Sequence, residues 1–160
     1  AALIYSAGYY NAKARKLKAL ADFLRERFDD DLDEMAQEAP ATLREELLGV
    51  HGIGEETADD ILLYALGMPS FVVDSFTRRI LFRLGLAPEN GPYSTYQDLF
   101  TINLPPDPQL LGEYHALMVR HGGTICKKRP LCHGCCLLEI CPTGRLNVAR
   151  RLALHATDRG

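Results

Sequence analysis

An all-α fold is what this sequence predicts, and three observations predict it. Apolar residues recur at three- and four-residue spacing through most of the chain. Two glycines one residue apart, in Val50-His51-Gly52-Ile53-Gly54, separate two such helical patterns where a chain reversal needs backbone angles that a Cβ resists. No convincing pair of alternating apolar and polar segments reads as strands. With 160 residues, 47% of them apolar, the chain can bury a core as one domain or as two small lobes.

The elements follow in order. Gly8, Tyr9 and Tyr10 read as a turn feeding a helix capped by Asn11. Leu17, Leu20, Leu24 and Phe28 form that helix's buried stripe, with Lys13, Arg15, Lys16 and Lys18 on its other faces. A short helix around Leu32 to Glu38 precedes Pro40, and Thr42-Leu43-Arg44-Glu45 has the form of a capping box opening a helix to about Leu48. After the hairpin, a helix opening with Glu55, Glu56 and Thr57 buries Ile61, Leu62 and Ala65 and stops at Gly67 and Pro69. Phe71-Val72-Val73 is apolar but too short to make a sheet by itself. Asp74 caps a helix with apolar positions Ile80, Leu81 and Leu84, ending at Gly85. Ser94 to Gln97 repeats the capping-box form ahead of Leu99, Phe100 and Ile102. Beyond the loop marked by Pro105, Pro106 and Pro108, Leu110 to His121 reads as helix and Gly122-Gly123 as its stop. The tail from Arg145 to Gly160 reads as an arm or frayed helix.

The net charge of -3 conceals an asymmetry. Both ends are cationic and the stretch from Asp22 to Asp60 is strongly acidic, its Asp29 to Asp33 run reading as a solvated loop. A weakly acidic whole argues against nucleic-acid binding by bulk charge and leaves local patches to decide. No apolar run is long enough for a membrane span and no secretory signal is visible, so a cytoplasmic, membrane-free protein is expected, with monomer as the default state.

Three constellations can carry chemistry. At the hairpin, the amides from Gly52 to Glu56 face outward from a positive helix start, a place for a phosphate gripped without reading a base. Cys126, Cys132, Cys135 and Cys141 form C-x5-C-x2-C-x5-C, and four thiols at that density signal a metal. A single close pair flanked by outlying cysteines suits a cubane [4Fe-4S] cluster better than structural zinc, which stays the alternative. Cys136 is a bystander, and Lys127, Lys128 and Arg129 make the intervening loop solvent-facing, able to meet a phosphate backbone. Asp74 is the third: an N-cap, and also a carboxylate able to stabilise positive charge developing on a sugar as a base departs. His51 reads as a loop residue near phosphate, His115, His121 and His133 as surface or packing residues, and Arg78-Arg79 as structural.

Taken together, GVHGIGEETADDIL, VVDSFTRR and the four-cysteine pattern resemble the helix-hairpin-helix Gly/Pro/Asp superfamily of DNA glycosylases, near endonuclease III, over nearly the whole chain. The resemblance implies a helix-hairpin-helix glycosylase fold with a C-terminal [4Fe-4S] cluster loop. It implies base-excision repair on double-stranded DNA carrying a damaged base, with Asp74 as the catalytic aspartate. Val50, His51, Gly52, Ile53, Gly54, Glu56 and Thr57 would be the hairpin contacts to DNA, joined by Lys127, Lys128 and Arg129. The four cysteines would be the cluster ligands, although the first cysteine spacing in the family is often one residue longer. Where bifunctional endonuclease III has a lysine that attacks the sugar, this chain has Glu56, and a carboxylate cannot form a Schiff base. The resemblance therefore implies a monofunctional enzyme. G-I-G-x-E-[ST]-A-D is similar to the 3-methyladenine glycosylase branch, which points to alkylated purines. Alternatives are a bifunctional enzyme using Lys127 or Lys128, a mismatch glycosylase, and a non-catalytic DNA-binding module.

The resemblance also implies further helices before Leu3, supplying part of the base pocket, so the chain reads as a partial sequence. The expected layout is a glycosylase lobe over residues 1–108, a final helix and cluster loop over 109–144, and a tail over 145–160.

Overall fold

The computed structural model describes residues 1–157, and among them every regular element is helical with no strand. None of these helices is long and apolar enough to cross a membrane. The chain divides into two compact units, Ala1–Ser70 and Phe71–Gly160.

The first unit opens with a 3-10 segment, Ala2–Ala7, followed by α1, Tyr10–Phe28. Gly8 and Tyr9 both take left-handed angles, φ 60 and 49, so the reversal is complete before Asn11. Tyr9 rather than Asn11 is thus the cap residue, and it makes no side-chain capping bond. The inward stripe of α1 is Leu20, Phe23, Leu24 and Phe28; Leu17, expected within it, is exposed. Asp31 caps the single turn of α2, Leu32–Met35, by accepting from the amides of Asp33 and Glu34.

Helix α3 runs Pro40–Gly49. Pro40, whose missing N–H is no loss at a first helical position, starts it two residues before Thr42. The expected Thr42–Glu45 capping box therefore lies inside the helix and caps nothing. Val50 to Gly54 then reverse the chain into α4, Glu55–Asp60, continued by one π turn, Ile61–Ala65. The Leu66 amide bonds the Ile61 carbonyl five residues back. That wider turn advances the inward register, so Leu62 and Leu63 are buried while Ala65, expected inside, is exposed. Phe28, Met35, Leu43, Leu47, Ala58, Leu62 and Met68 make the core of this unit.

The second unit begins with Phe71-Val72-Val73, buried and outside any regular element. Its backbone is satisfied by side chains of α6, Tyr93–Thr101: the Val73 amide donates to the Tyr93 hydroxyl at 2.9 Å, and Gln97 donates to the Phe71 carbonyl at 2.8 Å. Gln97 is thereby used for tertiary bonding, and Ser94, already inside a helix entered from Pro92, forms no capping box with it. The inward face of α6 is Tyr93, Tyr96 and Phe100, with Phe100 stacked on Phe71 at 3.6 Å between ring centres. Ile102 is exposed.

Between them lies α5, Ser75–Leu84, ended by Gly85 at φ 75. Helix α7 runs Pro108–Thr124 behind an Asp107 cap, so it passes straight through Gly122-Gly123, where a stop is expected from sequence. Leu111, His115, Met118 and Gly122 form its buried stripe. Gly122 faces Phe76 of α5, and an added Cβ would lie 2.6 Å from the Phe76 Cβ and Cδ1. The pair is a packing site in a helix rather than a helix terminus. A further helix, α8, spans Pro142–Thr157 after the cysteine loop, where an arm or frayed helix is expected from Arg145 on; residues 158–160 of the expected tail lie outside the described residues.

The two neighbouring glycines of α7 make opposite predictions. At Gly123 nothing lies within 4 Å of an added Cβ, so Gly123→Ala gains up to about 1 kcal/mol of helix propensity. Gly122→Ala has the same gain but drives a methyl into the base of a ring, a collision costing about 1–3 kcal/mol. Denaturant unfolding should show Gly123→Ala raised and Gly122→Ala lowered in midpoint; shifts of one sign would contradict the packing described.

Candidate functional site

The hairpin is built by a turn that only glycine fits. The Ile53 amide bonds the Val50 carbonyl at 3.0 Å, and Gly52, the third residue of that turn, stands at φ 87. Crowding reinforces the requirement: a Cβ on Gly52 would collide with the methylenes of Lys16. Ile53 reaches into the core, while His51, Gly52, Gly54, Glu56 and Thr57 stay exposed and Val50 is half-buried. The first-turn amides of α4 have no acceptor four residues back and point outward. The expected hairpin residues thus lie together on the reversal between α3 and α4 and in the first turn of α4.

Three features of this unit escaped sequence reasoning. Lys13 and Lys16 line a cavity with Gly52, Ile53 and Thr57, so two cations of α1 stand beside the hairpin. Tyr9 is 91% exposed in its left-handed conformation, an unusual place for a bulky side chain. Asp59, fully buried on α4, accepts from Arg44 Nε and Nη2 at 2.8 and 3.0 Å and from Ser70 Oγ at 2.6 Å. This bidentate pair ties α3 to α4 and so fixes the angle at which the hairpin is presented; loss of either partner strands the other charge.

In the second unit, Asp74 is only 9% exposed. Its Oδ1 accepts from the Thr77 amide at 2.7 Å, making it the cap of α5 as expected. The bond to Thr77 immobilises one carboxylate oxygen at the start of α5. His115 of α7, 7% exposed, packs edge-on to Phe71 and lies within the field of Asp74. Burial holds its imidazole below the ordinary range, and the pull of the Asp74 carboxylate in the other direction does not overcome it. Sequence predicts a surface or packing histidine at position 115; that it is buried within the field of Asp74 is a tertiary fact.

The arginines that follow Asp74 are structural. Arg78 donates to the Gly91 carbonyl at 3.0 Å and lies 4.5 Å from the centre of the Tyr96 ring. Arg79 donates to the carbonyls of Cys126 and Gly122 at 2.8 and 2.9 Å, accepting groups near the end of α7.

Cys126, Cys132, Cys135 and Cys141 line one small cavity, whereas Cys136 is exposed and lines a different one. All four sulfurs meet an N–H donor: Arg83 at Cys126 (3.2 Å), Asn147 at Cys132 (3.6 Å), the Leu137 amide at Cys135 (3.4 Å) and the Gly144 amide at Cys141 (3.2 Å), and Cys135 Sγ also lies 3.6 Å from His121 Nε2. Burial, with the neighbouring sulfurs adding to it, pushes the Cys135 thiol up. Four crowded sulfurs provided with N–H donors are a donor set for a cationic centre that would hold them as thiolates. Among the described residues no three Cys, His, Asp or Glu side chains converge as a single-ion site would require. Lys127, Lys128 and Arg129 are exposed on the loop after Cys126.

The depressed imidazole of His115 sets a pH dependence. The unfolded chain takes up the proton near pH 6.5, before the folded one, so the stability associated with neutral His115 is present above about pH 6.5 and is lost as pH falls through the lower folded value. His115→Gln should flatten this part of the acid limb in denaturant midpoints measured from pH 7.5 to 5; an unchanged limb would show that position 115 contributes nothing to it.

Residues 1–103 match the family model described as HhH-GPD superfamily base excision DNA repair protein. A protein of Methanocaldococcus jannaschii that bears the provisional name DNA repair glycosylase is 45% identical over 141 residues, 87% of this chain and 64% of that protein. The endonuclease III of a solved non-covalent complex with DNA superposes with a TM-score of 0.75 at 26% identity, covering 91% of this chain and 64% of its own. The Helicobacter pylori 3-methyladenine DNA glycosylase (MagIII) bound to 1,N6-ethenoadenine superposes with a TM-score of 0.61 at 28% identity, covering 74% and 59%. The chain thus spans about three fifths of the length of the proteins it matches. With a glycine hairpin between helices, an aspartate-capped helix after it and an all-helical architecture shared with these proteins, the chain belongs to the HhH-GPD superfamily of base excision DNA repair proteins.

Proposed function

We propose that this chain is a DNA glycosylase that binds duplex DNA, takes a damaged base out of the stack and hydrolyses its N-glycosidic bond without cutting the strand. The observation that carries the reading is Asp74, a nearly buried carboxylate held at the start of α5 in a chain of this superfamily. As the glycosidic bond breaks, its electron pair leaves with the base and positive charge spreads over the sugar. Asp74 faces that charge with a fixed carboxylate, and water then forms the new bond to the sugar carbon and gives up a proton. Extrusion of the base is what brings the bond within reach of a carboxylate in a folded site.

Glu56 at the second position of α4 supports the monofunctional mode, since no amine stands there to form a Schiff base. Alkylated purines are the proposed substrates. Such a base carries positive charge and departs as a neutral molecule, so a carboxylate without a strong general acid suffices. The likeness to a 3-methyladenine glycosylase and the Gly-Ile-Gly-x-Glu-Thr-Ala-Asp motif agree with that choice.

The hairpin amides, with Lys13 and Lys16 beside them, would hold backbone phosphates. Tyr9, exposed at the cationic start of α1, could stack on a base. Cys126, Cys132, Cys135 and Cys141 would hold a [4Fe-4S] cluster, which when bound supplies a rigid cross-link for the loop that carries Lys127, Lys128 and Arg129 toward DNA.

Three experiments test the reading. Base release and strand cleavage, scored separately on duplexes carrying alkylated purines, oxidised pyrimidines or mismatched adenine, should show release alone and the alkylated duplex preferred. A borohydride-trappable adduct would instead reveal a hidden lysine nucleophile. Asp74→Asn, which keeps a good cap, should abolish release while leaving DNA affinity within about threefold; release that survives the change would remove Asp74 from the chemistry. Neutralising Lys127, Lys128 and Arg129 should weaken binding alike on all sequences and lower the salt slope by about one per lost phosphate contact. Unchanged binding at low salt would take this loop off the DNA.

A further inference from the structure

Arg83, in the last turn of α5, touches the cysteine cavity at two of its four corners. Its Nη1 lies 3.2 Å from Cys126 Sγ, and its own backbone carbonyl lies 3.2 Å from Cys141 Sγ. The same guanidinium donates to the carbonyl of Cys126 at 3.3 Å, of Lys127 at 2.6 Å and of Lys128 at 3.2 Å. It thus bonds carbonyls and a sulfur, and a half-buried cation in this state favours a nearby negative centre. Four thiolates around an iron-sulfur core make such a centre.

We propose that Arg83 is the counter-charge of the cysteine-held cluster and sets its reduction potential, while its other N–H groups fix the loop that presents Lys127 to Arg129. The assignment rests on the reading of the four cysteines as [4Fe-4S] ligands. An N–H bond and a positive charge at a ligand sulfur stabilise the more electron-rich state, so Arg83 raises the potential above the value its absence would give. Lysine could restore the charge but not the planar fork that reaches sulfur and three carbonyls together.

The test uses the purified chain with its cluster, free of DNA, in wild-type, Arg83→Gln and Arg83→Lys forms. Iron and acid-labile sulfide are counted, visible absorbance is recorded, and the midpoint of the one-electron cluster couple is measured at an electrode. Arg83→Gln should load a cluster whose midpoint is shifted to more negative potential, and Arg83→Lys should shift it by less in the same direction. A loaded Gln variant with the wild-type midpoint overturns the proposal. If Arg83→Gln loads no cluster, Arg83→Lys decides, and a midpoint equal to or above wild type overturns it. Zinc, or no metal, in the wild-type chain would defeat the cluster reading itself and Arg83's role with it, a result distinguishable from a loaded cluster indifferent to Arg83.

Discussion

Contact between the Phe76 side chain and the bare backbone of Gly122 sets the second unit of this protein. Because Gly122 has no Cβ, α7 closes onto α5, and the consequences run in both directions along the pair. Two turns toward the start of α7, on the same face, His115 is brought into the field of Asp74. Toward its end, the carbonyls of Gly122 and Cys126 come within reach of Arg79, and those of Cys126 to Lys128 within reach of Arg83. A ten-residue helix thus has a capping carboxylate at one end and a grip on the cysteine loop at the other.

The two units handle charge in different ways. In the first, a carboxylate is fully buried, and its cost is offset by a bidentate guanidinium and a hydroxyl. In the second, arginines turn to backbone carbonyls and a sulfur, which leaves positive charge near the place where four thiols gather. The overall net charge of -3 conveys neither arrangement. The acidic stretch belongs largely to the helices of the first unit, and the exposed cations stand in small groups beside the hairpin and on the cysteine loop.

What could be read from the chain was what is encoded locally. The hairpin follows from the backbone angle demanded at Gly52, the cap from an aspartate before a helical pattern, and the metal reading from cysteine spacing. Local motifs also misled where a stronger local feature preceded them. Pro40 starts α3 ahead of Thr42, and Tyr93 is already helical ahead of Ser94, so neither four-residue pattern caps a helix. Gly122-Gly123 has the composition of a stop, yet its first member is needed for packing and the helix continues.

The sequence by itself determined the helical class, the glycine hairpin, the capping aspartate and the four-cysteine pattern, because each depends on residues within a few positions of one another. Only the tertiary structure decided that Arg44 would hold Asp59, that His115 would come within the field of Asp74 and that Arg83 would reach Cys126. Those partners stand 15 or more residues apart, and their meeting depends on how closely two helices can approach, a quantity set by side-chain volume at the contact and by no local pattern.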